Sequence, residues 1–321
     1  MNDHEIARAR SLAYGLLADL LAHGLTPATR EAAAMSAPIV AAIEGLSEDE
    51  LGTQFERAFG WAAPPFEGAY LDAEGTIGGP ATDALWALFR ACGFHPNVRS
   101  VDVEHLATLL RALAFISGAE ADAVADRHDG ATEKTRELAR RMLDEHVLRW
   151  VPLWAAAVHR ANEPFPSALT SQIESLALSH RAALSGRARA FELPTAPDLL
   201  DDPKTGLREI GAWLSKPALS GLVLTRIDVQ RIGRGLEVPR GFGERSQLLI
   251  NMLRSAVQFE VFDRSVAALE AELDTQGALL RERRFEGVSE LLSPWIARIS
   301  LTRGVLRRLL EAAAQEPDEP A

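Results

Sequence analysis

Apolar residues recur at three- and four-residue spacing along most of this chain, and this periodicity constrains its fold more than any other feature. The first segment carries one such stripe: Ile6, Ala9, Ala13, Leu16, Leu17, Leu20 and Leu21. Further helical runs occupy about 104–116, 136–159, 207–215, 226–235, 244–274 and 294–314. Ser47 and Glu50 have capping-box spacing, which predicts another helix start. No segment sustains the alternation of a β-strand, so the sequence predicts an all-α fold.

One stretch interrupts the helical pattern: residues 60–80, with the sequence GWAAPPFEGAYLDAEGTIGGP. Its glycines and prolines prevent a continuous helix, because proline removes a backbone donor and glycine favours turns. A connection of about 20 residues is unusual in a compact domain and is commonly functional. The stretch also carries Trp61, Phe66 and Tyr70. Two interpretations stay open: a functional loop, and a loop pinned over the core by its aromatic side chains.

Charge and composition exclude several classes of function. The formal net charge is −11, and residues 1–190 hold 17 basic against 25 acidic side chains, so nucleic-acid binding is not expected. Cys92 is the single cysteine, which excludes an intrachain disulfide and cysteine-based metal sites. His105 and His146 each follow a glutamate, but neighbouring helical residues diverge by about 100°, so no metal site is expected. Known catalytic and phosphate-binding motifs are absent from the sequence, so we expect the protein to have no catalytic residues and no cofactor.

Turn-forming residues divide the chain. Pro194, Pro197 and the segment 201–206 predict a linker over 191–206, between a first domain over 1–190 and a smaller helical module over 207–315. Residues 316–321 are expected to form a disordered acidic tail. No apolar run has the length of a membrane span or a signal-peptide core, which predicts a cytoplasmic protein without stable membrane insertion.

Residues 54–72, QFERAFGWAAPPFEGAYLD, resemble the signature of the TorD/DmsD/NarJ family of redox-enzyme maturation chaperones. In that family a helix that ends in a Leu-Phe-Gly-like step leads into a Pro-Pro-aromatic loop and then into an aromatic-Leu-Asp step. The resemblance continues in order through Gly78-Gly79 and the segments 89–94, 102–106, 113–116, 146–154 and 163–169. It covers about residues 5–185.

The resemblance implies a TorD-like helical bundle that acts as a cytoplasmic chaperone for a molybdenum-cofactor oxidoreductase. The implied partner is the precursor of the catalytic subunit, bound through its twin-arginine signal peptide and held as the apo form. The chaperone would assist cofactor insertion and delay export. The motif positions implied to bind the peptide are Arg10, Phe55, Phe59, Trp61, Gly79, Glu104 and His105. The family's Pro-Asp-His step reads Val103-Glu104-His105 here, without the proline.

The chemistry of such a peptide extends the predicted site. Guanidinium groups followed by an apolar segment require carboxylates beside an apolar groove. Phe66 and Tyr70 can contribute to the groove. The carboxylates that cluster around the loop in sequence are expected to form an acidic rim: Glu67, Asp72, Glu74, Asp102 and Glu104. Roles in ordinary packing or solvation stay open for each of these residues.

The C-terminal module has no assigned activity. Residues 219–254 hold two helical runs with five arginines on and between them: Arg226, Arg231, Arg234, Arg240 and Arg245. A helix-turn-helix DNA-binding regulator is therefore the alternative function. A helical hairpin with internally paired arginines is the competing interpretation, because the connection exceeds the usual three- or four-residue turn. For the run 244–274, packing on the first domain, an extended client surface and a homodimer contact all stay open.

Overall fold

The computed structural model describes residues 2–97, 102–202, 204–239, 243–282 and 288–315. Regular secondary structure in these residues is helical, apart from one isolated antiparallel bridge between Phe66 and His105. The predicted all-α fold is therefore confirmed. The predicted acidic tail over 316–321 lies outside the described residues.

The chain divides into two compact units. The first consists mainly of Met1–Asp72 and Thr76–Ala190. Its helices are α1 (Asp3–His23), α2 (Pro27–Ala33), α3 (Ala37–Ile43), α4 (Glu48–Phe55), α5 (Gly68–Leu71), α6 (Pro80–Cys92), α7 (Leu106–Ala125), α8 (Asp129–Met142), α9 (Val151–Arg160) and α10 (Pro164–Ala183). Two π-helical turns, Glu56–Ala62 and Leu143–Val147, continue α4 and α8.

Helix α7 lies at the centre of the first unit. Leu109, Leu110 and Leu113 are fully buried on it, so this helix is covered by neighbours on most of its surface. Helix α1 packs against it in the antiparallel direction, since the His4 ring meets the Ala121 carbonyl and Ser11 donates to the Ala114 carbonyl. This buried pair forms the base on which the loop region is built.

Capping residues set where several helices begin and end. The predicted capping box of Ser47 and Glu50 is confirmed: each side chain accepts from the backbone N–H of the other residue. Helix α6, on the other side of the loop, ends at Gly93. The φ of this residue is 75°, a left-handed conformation that glycine adopts without a steric penalty. Short polar caps and glycine therefore place the helices on either side of the loop.

The single helical run expected over 136–159 is wrong, because the structure divides it. Helix α8 ends at Met142, the π-helical turn follows, and α9 begins only at Val151. Trp150 has a φ of −135°, outside the helical range. Pro152 lies in the first turn of α9, where its missing N–H costs no helical hydrogen bond. Trp150 and Trp154, which lie at and just after the break, are both fully buried.

The second unit consists mainly of Phe191–Arg284 and Leu292–Ala321. Its helices are α11 (Leu207–Leu214), α12 (Pro217–Ser220), α13 (Arg226–Gly235), α14 (Arg245–Gln258), α15 (Phe262–Glu282) and α16 (Ser289–Gln315), after a 3-10 turn at Leu199–Asp201. The predicted run 226–235 is confirmed as α13. The predicted run 244–274 is instead two helices, because Glu260 between them has a left-handed φ of 56°.

Candidate functional site

The entry into the Gly/Pro-rich loop is a π-helical turn at Glu56–Ala62. The turn buries Ala58, Phe59 and Ala62 but directs Trp61 outward, with 66% of that residue exposed. Phe55, at the end of α4, makes an edge contact with Phe59 at 5.0 Å between ring centroids. The turn thus separates two predicted site residues: Phe59 belongs to the core and Trp61 to the surface.

Two buried tryptophans support the inner side of the loop. Phe59 stacks on Trp154 with centroids 5.7 Å apart, and Tyr70 stacks on Trp150 at 5.2 Å. The indole N–H of Trp154 also donates to the Ala63 carbonyl at 2.9 Å. These contacts attach the loop to α9 at both its beginning and its middle.

The Pro-Pro-Phe step runs beside the segment that leads into α7. Leu106 donates its N–H to the Pro65 carbonyl at 2.8 Å, and Glu67 donates its N–H to the Glu104 carbonyl at 3.2 Å. Between these bonds, the Phe66 and His105 rings meet edge to face at 4.8 Å. Each segment therefore donates one backbone N–H to the other, and Pro65, which has no N–H, takes part only as an acceptor.

Two carboxylates predicted on an acidic rim, Glu67 and Glu104, lie inside the protein, 3% and 1% exposed. The Glu67 carboxylate lies 3.1 and 3.2 Å from Nδ1 of the buried His146. Burial raises the pKa of the Glu67 carboxyl above its usual value, and the neighbouring His146 opposes this shift. The pair joins the loop to the π-helical turn after α8.

Glu104 accepts hydrogen bonds from the middle and from the end of the loop. Its Oε2 accepts from the Gly68 N–H at 3.0 Å, and its Oε1 accepts from the Gly78 N–H at 3.0 Å. The Thr82 hydroxyl also donates to Oε1. Gly68 leaves no room for a side chain, because an added Cβ would overlap the Thr76 carbonyl oxygen and lie 2.7 Å from Oε2 of Glu104.

The outer part of the loop is ordered by Asp72. Its Oδ1 accepts from the Thr76 backbone N–H at 3.0 Å and from the Thr76 hydroxyl at 2.9 Å. Gly79 is the N-cap of α6 with an extended backbone, φ −93°. Ile77 lies between these residues and is 42% exposed. Exposed apolar side chains therefore remain on the outside of the loop, at Trp61 and Ile77.

Arg10 is the predicted site residue that has no described contact with the loop. Its guanidinium lies 3.2 Å from Oε2 of Glu120, and the side chain is 11% exposed. Arg136 pairs with the other oxygen of the same carboxylate at 2.8 Å. Arg10 therefore joins α1 to α7 in a mostly buried ion-pair network.

Sequence reasoning assigned no role to five residues that hold the loop in place: Gly68, Thr82, His146, Trp150 and Trp154. The last three lay inside the family resemblance, so a signal for them existed. Gly68 also lay inside the matching segment 54–72, whereas Thr82 carried no signal, because its contribution is a hydroxyl that meets a carboxylate distant in sequence.

His105 caps helix α7. Its Nδ1 accepts from the Ala107 N–H at 3.1 Å, so this nitrogen must be unprotonated for the cap to form. Burial lowers the pKa of His105 to about 4, although the nearby Asp102 carboxylate opposes the shift. The folded protein therefore keeps this imidazole neutral over the range in which an unfolded histidine becomes charged.

This histidine predicts a pH dependence of stability. Because its pKa is 6.5 unfolded and about 4 folded, its contribution is complete above pH 6.5 and falls as the pH drops towards 4. The difference between the two pKa values limits the loss of unfolding free energy from this group to about 3 kcal/mol. We expect His105→Asn, which keeps a capping oxygen, to flatten the urea-unfolding free energy between pH 7 and 4.5. His128→Asn, at the exposed cap of α8, is the matched control, and equal flattening by both variants would contradict the assignment.

Two of the arginines behind the DNA-binding alternative, Arg231 and Arg245, have partners within the second unit. Arg231 pairs with Asp228 at 3.2 Å and with Glu272 at 2.7 Å. Arg245 donates to the Ser215 carbonyl at 2.8 Å. Arg240 lies outside the described residues. The Arg231–Asp228 pair agrees with an internally paired hairpin, whereas Glu272 and Ser215 lie outside residues 219–254, and no finding supports the DNA-binding alternative.

The described residues contain neither a helix that could span a membrane nor a cluster that could hold a metal ion. No helix there is long and apolar enough to cross a bilayer. No group of three or more His, Cys, Asp or Glu side chains there has the geometry to hold a metal ion.

Comparison with known families gives one match: residues 23–156 match the family described as nitrate reductase delta subunit. No curated protein matches the chain. The matched residues include the whole loop, with Glu104, His146, Trp150 and Trp154 around it. Residues 23–156 are therefore similar to the nitrate reductase delta subunit family, the NarJ/TorD type of molybdoenzyme maturation chaperones, a family whose members assist enzyme maturation and are not themselves catalytic.

Proposed function

We propose that this protein is a cytoplasmic chaperone that binds the twin-arginine signal peptide of a molybdenum-cofactor oxidoreductase catalytic subunit. It holds the apo form while the cofactor is inserted and delays export of the precursor. The observation that carries the proposal is that the family match spans the loop together with the residues that hold it in place. The family acts on molybdoenzyme subunits, which gives the class of partner.

The geometry of the loop supports a role in peptide binding. Its base is fixed by buried aromatic and carboxylate contacts, whereas Trp61 and Ile77 are exposed on its outside. Large exposed apolar side chains on an otherwise ordered surface are typical of interaction sites. Because buried contacts fix the base of the loop, little conformational entropy would be lost when the apolar segment of a signal peptide binds.

Trp61 provides the first test. We expect Trp61→Ala to weaken binding of a twin-arginine signal peptide at least about tenfold, because buried tryptophans commonly dominate interfaces. The unfolding free energy of the Trp61→Ala protein should differ from that of the wild type by no more than about 0.5 kcal/mol, since the side chain is exposed. Titration calorimetry with a synthetic peptide and thermal unfolding measure the two effects.

Leu12→Ala is the matched control for this test. Leu12 is also a large apolar residue, 67% exposed, but it lies on α1 rather than on the loop. We expect this variant to bind the peptide like the wild type. Equal binding by Trp61→Ala and wild type would remove Trp61 from the site, and an equal loss in both variants would indicate nonspecific hydrophobic binding.

A further inference from the structure

Glu104 combines deep burial with several hydrogen-bond donors from the loop and α6. It is 1% exposed, and the carboxylate accepts from the Gly68 N–H, the Gly78 N–H and the Thr82 hydroxyl. Its backbone carbonyl accepts from the Glu67 N–H at 3.2 Å. A single residue ahead of α7 is thereby bonded to the beginning of α5, to the end of the loop and to α6.

A carboxylate is the side-chain group that suits these partners, because it accepts at both oxygens and has no donor. Each oxygen receives a backbone N–H from a different glycine, Gly68 at Oε2 and Gly78 at Oε1. Glutamine in either amide orientation would turn an NH₂ group towards one of these N–H groups. One buried backbone donor would then lose its acceptor, which is costly.

The packing around Gly68 closes off the carboxylate. The space where a side chain would stand at this residue is filled by the Thr76 carbonyl and by Oε2 of Glu104 itself. With so little exposed surface and three donors from the loop and α6, the carboxylate is not available to an incoming guanidinium while the loop keeps this conformation.

We propose that Glu104 is a positioning residue: it holds residues 66–82 in the conformation that binds the client and does not itself contact the client. This inference rests on the proposed function. It replaces the direct contact that the family resemblance implied for this position with an action through the loop.

A double-mutant cycle separates the two roles. We would measure the affinity of wild type and Glu104→Gln for a twin-arginine peptide and for the same peptide with both arginines replaced by glutamine. Glu133→Gln, an exposed carboxylate on α8, is the charge-matched control. Amide hydrogen exchange of Gly68 and Gly78 in the free protein reports on the loop without any peptide.

A positioning role predicts that Glu104→Gln weakens binding of both peptides by the same factor, about tenfold or more for a lost hydrogen bond to a charged acceptor. It also predicts faster exchange at Gly68 and Gly78. A loss confined to the arginine peptide, or unchanged exchange at both glycines, would overturn the proposal in favour of direct contact.

Two further outcomes are also decisive. If the wild type binds neither peptide, the proposed function fails, and the exchange measurement alone decides whether Glu104 holds the loop. If Glu104→Gln does not fold, Thr82→Val removes one donor to the same carboxylate and keeps the side-chain shape. We then expect a smaller loss that is again equal for the two peptides, and an unequal loss would overturn the proposal.

Discussion

Gly68→Ala is expected to destabilise the protein by about 3 kcal/mol, the upper end of the usual cost of overpacking, because this site cannot relax. The added Cβ would overlap the backbone carbonyl of Thr76, which cannot rotate away as a flexible side chain could. It would also lie 2.7 Å from Oε2 of Glu104. The loop must open, and the hydrogen bond from the Gly68 N–H to Glu104 must break.

Urea unfolding and peptide titration test this expectation together. Gly52→Ala is the matched control, because Gly52 lies inside α4 with open space around the Cβ position. We expect that control to be neutral or to gain up to about 1 kcal/mol, the difference in helix propensity between glycine and alanine. A Gly68→Ala protein with wild-type stability and wild-type peptide affinity would show that the loop is not closed around Glu104.

Trp154→Ala is the second substitution with a large expected effect. The residue is fully buried, stacks on Phe59 at 5.7 Å and donates to the Ala63 carbonyl at 2.9 Å. We expect the free energy of unfolding to fall by about 4 kcal/mol, which is in the range measured when large buried aromatic residues are truncated. Because Phe59 and Ala63 lie at the start of the loop, peptide binding should weaken as well.

Trp154→Phe separates the ring contact from the hydrogen bond. Phenylalanine keeps an aromatic ring against Phe59 but leaves the Ala63 carbonyl without its indole donor. We therefore expect the free energy of unfolding to fall by about 1–3 kcal/mol. Urea unfolding monitored by far-ultraviolet circular dichroism measures both variants. If the two substitutions cost the same free energy, the hydrogen bond to the carbonyl dominates and the stacking argument is wrong.

Helix boundaries could be predicted from the sequence where local chemistry decides them. The capping box at Ser47 and the bounds of α13 depend on residues within one turn, and both were predicted correctly. The breaks at Trp150 and Glu260 were missed, because apolar periodicity continues across each of them. Tertiary packing sets the backbone conformation at Trp150. A left-handed turn without a recognisable local motif sets the conformation at Glu260.

The candidate site was predictable as a set of residues but not as a geometry. The order of motifs located the loop and its matching segments, and the family match contains all of these segments except 163–169. The sequence could not show that Glu67 and Glu104 are buried, because their partners are the His146 ring and backbone N–H groups of glycines. Arg10 was grouped with the loop by resemblance, whereas its described partner is Glu120 of α7.

Recovery of the bound client tests the central claim most directly. The full-length tagged protein would be purified from its native cells under conditions that induce molybdoenzymes, alongside Trp61→Ala, and the co-purifying proteins identified by mass spectrometry. The account predicts a molybdopterin-enzyme catalytic subunit with its twin-arginine signal uncleaved, recovered with the wild type and depleted with Trp61→Ala. Purification of folded wild-type protein without any such precursor would contradict it.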